Sequence, residues 1–419
     1  MQVIYKFGGA SIKDADSIKN VLEIVQERKI DKLYIIFSAI GKVTNMLEEL
    51  VDLYASFQDT STQLYKIKKF HYNIMDQLFS RDDKVFEVIN NLFIEIEWIL
   101  EEEYNSEYDY NYDQIVSVGE LLSTNIMSAY LQKNDCINTL IDARDIIKTN
   151  DNFRSADIDW DLTESSIRTI KESDIMITQG FIGCTKQNST TTLGREGSDF
   201  TAAILAYFLD VYELVIWKDV PGILNADPRF FNKTQKFRIL PFEEAIELAF
   251  YGAKVIHPRT IQPLKKKSIP LTVKSFIDSK SSGTVIKKTN KIEPAVPSYI
   301  VKEDQVLISI SDKSLDFIIE KHLSSIFSLF YDNGIRVNMM QNSAVSFSVC
   351  VDNDKHKIPN LLDILNKKFD VYYNQDLTLI TIRHYTDLIV SNFLKGRDII
   401  LEQRTRSTLQ LIMKSGNLF

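Results

Sequence analysis

The sequence predicts an α/β protein: a mainly parallel open sheet between helices, carrying a helical insertion and followed by a smaller α+β region. Three observations lead to this expectation. Short apolar runs alternate with amphipathic helical runs across residues 1–290. The alternation is interrupted at 44–115 by long, charged, amphipathic stretches almost free of Gly and Pro. Beyond a polar, Pro-containing segment at 288–300 the elements shorten into a roughly repeated βαββ pattern.

The elements follow in order. Residues 3–7 read as a strand, Gly8–Gly9 breaks it, and 14–28 has helical periodicity through Ile18, Val21, Leu22 and Val25. Residues 33–37 form a short buried-type strand. The insertion consists of helical stretches at 45–57 and 61–104, with an acidic, Tyr-rich tip at 101–113 expected to be a solvated loop. Strand-like runs resume at 115–118, 139–141, 175–178 and 214–216, with helices at 198–209 and 242–250. The chain thus divides into a block at 1–290, a linker at 291–303 and a smaller block at 304–419. That last block reads as strand 305–311, helix 314–332, strands 335–340 and 344–351, helix 356–368, strand 377–383, helix 386–395, and strands 398–403 and 407–413.

Composition narrows the partners. A chain of 419 residues corresponds to two to four domains at roughly 100–200 residues each. The net charge of -8 argues against a nucleic-acid backbone as partner. The three cysteines are far apart and lack CxxC spacing, which suits reduced thiols in a cytoplasmic protein. No leader peptide and no apolar run of membrane-spanning length is apparent, so neither secretion nor a membrane is expected.

Five motifs carry chemistry. Lys6-Phe7-Gly8-Gly9-Ala10-Ser11 places glycines and a lysine between a strand and a helix, a arrangement suited to phosphate. An ordinary strand–helix turn explains the glycines as well. Ser117-Val118-Gly119-Glu120 offers a carboxylate for an ammonium group, or merely a favourable charge in a first helical turn. Gln179-Gly180-Phe181-Ile182-Gly183 leads to Thr191-Thr192-Leu193-Gly194-Arg195-Glu196-Gly197-Ser198-Asp199. Capping accounts for Ser198 and Asp199, but not for an arginine beside glycine, which can grip a carboxylate bidentately. Trp217-Lys218-Asp219-Val220-Pro221-Gly222-Ile223-Leu224, with Ala226-Asp227-Pro228-Arg229, follows a strand and is rich in turn residues. Tyr251-Gly252-Ala253-Lys254-Val255-Ile256-His257-Pro258 adds a second lysine, just after a helix.

Ligands of open parallel sheets bind beyond the carboxyl ends of the strands, so these separate loops are expected to converge on one crevice. Lysines, glycine loops, one arginine and acidic residues suit phosphoryl transfer from ATP to a small zwitterionic carboxylate. A carboxylate nucleophile with a pKa near ~3.9 is already ionised at neutral pH, so no general base is required.

With KFGGAS, VSVGE, TQGFIG, TTLGREGSD, WKDVPGILNADPR and GAKVIHP in this order, residues 1–290 resemble the amino-acid kinase superfamily, and within it the aspartate kinases. The resemblance implies the amino-acid kinase fold, ATP and Mg2+ as cofactors, L-aspartate as substrate, and the first step of lysine, threonine and methionine biosynthesis. It assigns Lys6 and Lys254 to the ATP phosphates, with Asp199 orienting them, and Gly8 and Gly9 to the phosphate path. Ser38, Thr44, Glu120, Phe181, Arg195 and Ser198 would hold aspartate, with Glu120 on its amino group and Arg195 on its α-carboxylate. Lys218, Asp219, Leu224 and Arg229 would lie along the nucleotide. This sequence departs from the family at Lys218 (usually Thr), Leu224 (often Tyr), Ala10 (commonly Thr) and Glu196, which stands within the usual GRGGSD run.

Residues 304–419 resemble the paired ACT regulatory domains of these kinases, one unit inserted into the other. Met340, Gln341, Asn342 and Ser343 match the strand–turn–strand where such domains hold an effector, here lysine or threonine. The second unit is expected to lack its last helix, and the assembly to be a homodimer or larger. The alternatives are a kinase of another small carboxylate, a non-catalytic amino-acid sensor, or an ACT region that only dimerises.

Overall fold

The computed structural model describes residues 1–28, 30–171, 173–253, 255–313 and 318–416, which divide into two compact units. The first comprises Met1–Ile223, Lys236–Ile246 and Val255–Glu293, and the second Leu224–Gln235, Glu247–Lys254 and Pro294–Phe419.

The first unit opens with β1 (Gln2–Phe7), a tight helical turn (Gly9–Ile12), α1 (Ala15–Gln26) and β2 (Lys32–Phe37). Asp14 caps α1 by accepting from the Ser17 amide at 2.8 Å. Five helices follow: α2 (Val43–Ala55), α3 (Ser61–Leu78), α4 (Val85–Glu101), α5 (Tyr108–Val116) and α6 (Val118–Lys133). Then come β3 (Thr139–Ile141), α7 (Ala143–Ile146), α8 (Trp160–Ile167) and β4 (Ile175–Gln179). A small hairpin of β5 (Ile182–Cys184) and β6 (Thr190–Thr192) leads to α9 (Gly197–Leu209) and β7 (Glu213–Lys218). The remaining elements are β8 (Ile239–Pro241), α10 (Phe242–Tyr251), α11 (Pro258–Lys267), β9 (Leu271–Ser275) and β10 (Thr284–Lys287).

Eight strands form one sheet in the order β3-β4-β2-β1-β7-β9-β10-β8, parallel throughout except for the antiparallel pair β9–β10. The central strands are nearly continuous apolar runs because helices cover both faces. Phe37, Phe7 and Trp217 sit in register on β2, β1 and β7, with ring centroids 5.6 and 5.8 Å apart. This ladder braces the carboxyl ends of three strands from one face, leaving Lys6 and Lys218 on the other.

The insertion departs from expectation in three ways. The stretch 61–104 is two helices, because Asp83 turns back to accept from the Ser80 amide at 2.9 Å. The tip at 101–113 is only briefly a loop. α5 starts at Tyr108 and buries Asn111, Tyr112 and Asp113. Asp113 accepts from the Thr192 amide at 2.8 Å and the Thr192 hydroxyl at 2.6 Å, tying α5 to β6, and burial pushes its pKa up to about 6. Residues 115–118 are not a strand but the junction of α5 and α6. A short apolar run buried on all sides has no period that separates helix from strand. The helices share one continuous core with β1, β2 and β4.

The second unit is built on β11 (Ser298–Asp312), α12 (Glu320–Asp332), β12 (Val337–Asn342), β13 (Ser346–Asp352), α13 (Lys357–Lys368), β14 (Phe369–Arg383), α14 (Asp387–Leu394), β15 (Ile399–Arg404) and β16 (Thr408–Lys414). Its six strands run antiparallel in the order β12-β13-β11-β14-β16-β15. β11 and β14 are fifteen residues each and serve both halves of the sheet. Residues 305–312 pair with β13 and the start of β14, whereas 298–302 pair with its end. Residues 298–303, expected as linker, are therefore strand. Tyr299 and Val301 alternate with buried Ile300 and pack on the Ile380–Leu409–Val390 cluster, a periodicity that Pro294 and Pro297 mask in the sequence. Residues 314–317 of the expected helix 314–332 lie outside the described residues. All three cysteines are free and buried, and no helix among the described residues is long and apolar enough to cross a membrane.

Candidate active site

Parallel pairing puts the carboxyl ends of β1, β2 and β7 side by side, and the site grows from their turns. After β1 the chain must pass close under the turn that follows β2. A Cβ on Gly9 would lie 2.5 Å from the Gly41 carbonyl oxygen and 2.7 Å from that of Ala39, so only glycine fits. The Gly41 amide donates back to the Gly9 carbonyl at 3.0 Å, and the Ser38 amide to Phe7 at 3.2 Å.

Asp199, in the first turn of α9, is the electrostatic centre. Its Oδ1 lies 2.6 Å from Lys6 Nζ and its Oδ2 3.2 Å from Lys218 Nζ. Burial alone would raise its pKa, but Lys6 and Lys218 outweigh that and hold it below the ordinary carboxylate value. Lys218 also donates to the Val255 carbonyl. Gly8 lies beside Lys6, 3.4 Å from where its own Cβ would be to Nζ. Asp219 is exposed at the end of β7.

Glu120 sits in the first turn of α6 rather than at a strand end, and is 2% exposed. Its Oε1 accepts from the Ala39 amide at 3.3 Å, whereas Oε2 is buried and has no partner among the described residues. Burial raises its pKa to about 8, against smaller opposing contributions from the Ala39 and Glu120 amides and from Lys6. Ser38 and Thr44 are half-buried, Thr44 in the first turn of α2.

A second cluster surrounds the start of α9. A Cβ on Gly180 would fall 2.4 Å from Ser198 Cβ, so this glycine admits Ser198 against the end of β4. Phe181 has φ +69° and its amide donates to Thr201 Oγ1 at 3.0 Å. Glu196 also has a left-handed backbone, φ +54°. Arg195 is exposed and makes no ion pair among the described residues.

Lys254 lies outside the described residues. Leu224 and Arg229 cluster with the second unit, where Arg229 is occupied by a bidentate pair with Asp227 at 2.6–3.1 Å. Met340, Gln341 and Asn342 end β12 and Ser343 begins the turn, all exposed. Ser343 closes that turn through the Ser346 amide, 3.1 Å from its hydroxyl.

Two supporting residues escaped the sequence reading. Gln179 accepts from the Ala143 amide at 2.7 Å and donates to Thr124 Oγ1 at 2.8 Å, fixing the end of β4. Arg259 stacks on Phe200 and donates to the carbonyls of Leu193 at 2.9 Å and Ala156 at 3.3 Å, anchoring the approach to Arg195. Gln179 lay within a quoted motif. Arg259 carried no signal beyond its place after His257-Pro258.

The amino acid kinase family model matches residues 1–275. The lysine-sensitive aspartokinase 3 of Escherichia coli is 31% identical over 355 residues, 84% of this chain and 78% of that protein. The chloroplastic bifunctional aspartokinase/homoserine dehydrogenase 1 of Arabidopsis thaliana is 30% identical over 387 residues, and the match spans only 42% of its length. Among solved structures, E. coli aspartokinase III with aspartate and ADP superposes with a TM-score of 0.84 at 26% identity, covering 99% of this chain and 96% of that one. The same enzyme with lysine and aspartate gives 0.83 at 26% identity over the same shares. The antiparallel unit matches the ACT-type regulatory region of those chains, and residues 1–275 carry the kinase fold. The chain belongs to the amino acid kinase family and, within it, to the aspartokinases.

Proposed function

We propose that this chain transfers the γ-phosphoryl group of ATP to the side-chain carboxylate of L-aspartate, giving 4-phospho-L-aspartate and ADP. The observation that carries this reading is the Lys6–Asp199–Lys218 cluster at the carboxyl ends of adjacent parallel strands. It presents net positive charge where an open sheet takes its ligand. Lys6, with Lys254, neutralises charge on the transferring phosphoryl group, while Gly8 and Gly9 let the backbone approach it. Glu120 receives the substrate ammonium on its unpartnered oxygen, and Arg195 grips the α-carboxylate. Ser38, Thr44, Phe181 and Ser198 shape the remaining pocket, and Asp219 lies on the nucleotide side.

The side-chain carboxylate of aspartate attacks already ionised. Its oxygen bonds to the γ-phosphorus as the bond to the β–γ bridging oxygen breaks, and ADP departs. No group of three or more His, Cys, Asp or Glu side chains gathers among the described residues, and both oxygens of Asp199 face lysines. Magnesium belongs to this reading as the counter-ion that ATP carries on its phosphates.

Purified protein with MgATP and aspartate should form an acyl phosphate that hydroxylamine traps. Glutamate should react far more weakly, since one methylene displaces its carboxylate from the γ-phosphate. Equal or better turnover of glutamate or acetylglutamate would overturn the assignment, and absence of any ATP turnover would favour a sensor. The exposed turn at Met340–Ser343 is the corresponding candidate for an amino-acid effector, lysine or threonine, in a homodimer or larger assembly. Light scattering and aspartate kinetics with either amino acid test that part.

A further inference from the structure

Two side chains of opposite charge hold the backbone that leads to Arg195. Asp113, on α5 and 0% exposed, accepts from the Thr192 amide at 2.8 Å, the Thr192 hydroxyl at 2.6 Å and the Arg154 amide at 3.0 Å. Arg259, in the first turn of α11, donates to the carbonyls of Leu193 at 2.9 Å and Ala156 at 3.3 Å. Its guanidinium lies 4.2 Å from the centre of the Phe200 ring, in the first turns of α9. Both side chains therefore join the same two segments, 154–156 and 192–193. The acid takes an amide from each, and the guanidinium takes a carbonyl from each. Between them the Ala156 amide donates to the Thr192 carbonyl at 3.0 Å. A buried carboxylate carries a desolvation cost that apolar packing avoids, so the fold alone gives little reason for an acid at this point of α5. The chain that follows gives one. Arg195 stands beyond the end of β6 and before the start of α9, between left-handed residues Gly194, φ +72°, and Glu196, φ +54°. A Cβ on Gly194 would lie 3.1 Å from the Arg154 carbonyl oxygen, so the segment fixed by Asp113 also backs the residue before Arg195. A guanidinium that grips a carboxylate bidentately has to be held to within about 0.5 Å and 10–20°, and an exposed side chain acquires that precision only from a fixed backbone.

We infer that Asp113 and Arg259 are positioning residues for Arg195: together they clamp the backbone on which it stands, and so set the affinity of the site for the α-carboxylate of the substrate. This rests on the proposed role of Arg195 at that carboxylate. Neither residue touches substrate. Through Asp113 the helical insertion acts on substrate binding, and through Arg259 α11 does the same. Because both work through Arg195, removing either cannot cost more than removing Arg195 itself.

The test is a double-mutant cycle in the full-length protein. Asp113→Asn, Arg259→Met and Arg259→Lys are made alone and together with Arg195→Ala, and steady-state kinetics are measured for aspartate and MgATP. Alone, Asp113→Asn and Arg259→Met should raise KM for aspartate about 2- to 30-fold, with kcat and KM for MgATP changed far less. Arg259→Lys keeps the charge and should recover part of the loss. Once Arg195 is removed, the same substitutions should add nothing to KM for aspartate. Effects of equal size with and without Arg195 would overturn the proposal and leave both residues as supports of the fold. An equal rise in KM for MgATP would overturn it too. An Arg195→Ala protein with the wild-type KM for aspartate would remove the role of Arg195, and the inference with it. Hydrogen exchange decides the clamp independently of turnover and of how well Asp113→Asn folds. Amides within 190–197 should exchange faster in Arg259→Met than in the wild type. Unchanged exchange there would overturn the clamp, whereas faster exchange in a protein that phosphorylates no aspartate would uphold it and remove only the substrate assignment.

Discussion

Asp199 and Glu120 are equally buried carboxylates, each 2% exposed, and their chemistry is opposite. Asp199 has a lysine on each oxygen and is held ionised, below its ordinary pKa. Glu120 accepts one long hydrogen bond from the Ala39 amide and has no partner on its other oxygen among the described residues, and burial drives its pKa to about 8. Burial is common to both, so the partner decides. The contrast sets a preassembled cluster against a waiting carboxyl. In the first, opposite charges already meet. In the second, burial favours the protonated acid, and a cation placed beside it, such as the α-ammonium group in the proposed reading, would favour ionisation.

The largest effect expected from breaking this contrast is on the preassembled side. Asp199→Asn leaves two lysines facing a neutral amide, and loss of one member of a buried ion pair typically costs about 3–5 kcal/mol. Urea denaturation should register a loss of that order, and kcat should fall by at least about 100-fold as Lys6 loses its anchor. Wild-type kinetics in a folded Asp199→Asn protein would sink the site map.

Glu120→Gln sharpens the other side because glutamine mimics the protonated acid. Substrate binding should suffer, with KM for aspartate rising about 30-fold or more from the lost charge-assisted contact. Stability should respond with a definite sign. Glu120 has a native pKa raised from 4.5 to about 8, so its contribution is fully present below 4.5 and is lost as pH rises through 8. Asp199, lowered in the native state, contributes in the opposite sense, and its stabilisation is lost in acid. Relative to wild type, Glu120→Gln should therefore gain up to about 1.4 kcal/mol per pH unit between 4.5 and 8, and nothing further above it. Denaturation at pH 5, 6.5 and 8 measures this, and parallel curves would contradict the buried, unpartnered state of Glu120.

Arg195 stands outside the contrast and tests its limits. Being exposed and without an ion pair among the described residues, it should leave stability within about 0.5 kcal/mol when changed to alanine. KM for aspartate should nonetheless rise about 10- to 100-fold, with kcat changed much less, because it holds a group that does not react. The smallest effect belongs to its neighbour. Glu196→Gly relieves a left-handed backbone at φ +54° and should add about 1 kcal/mol of stability, visible as a higher Tm. A lower Tm would show that the Glu196 side chain contributes more than its backbone costs.

The parallel sheet and the order of its elements were legible in the sequence because each strand is a short apolar run and each flanking helix has its own period. β1, β2, β3, β4 and β7 fall within a residue or two of where alternation places them. In the antiparallel region, α13, β15 and β16 do the same. The reading failed where environment outweighs local pattern. Residues 115–118 are buried on every side, so their apolar run lost its period and became a helix junction. Residues 298–303 look like linker beside two prolines, yet pair along β14.

The sequence by itself determined which charged residues are candidates for the site: Lys6, Glu120, Arg195, Asp199 and Lys218 all stood out beside glycines, strand ends or helix starts. Only the tertiary structure decided which of them meet. Lys218 and Asp199 are nineteen positions apart and Lys6 is farther still, but the register of β1 on β7 brings all three together. Glu120 and Asp199 are both acidic residues in the first turn of a helix, indistinguishable by local pattern. Their opposite ionisation comes from what the fold sets beside each carboxyl: two ammonium groups for one and, among the described residues, only a backbone amide on one oxygen for the other. Ionisation in a low-dielectric interior depends on distances of a few ångströms between residues remote in the chain, and those distances exist only once it has folded.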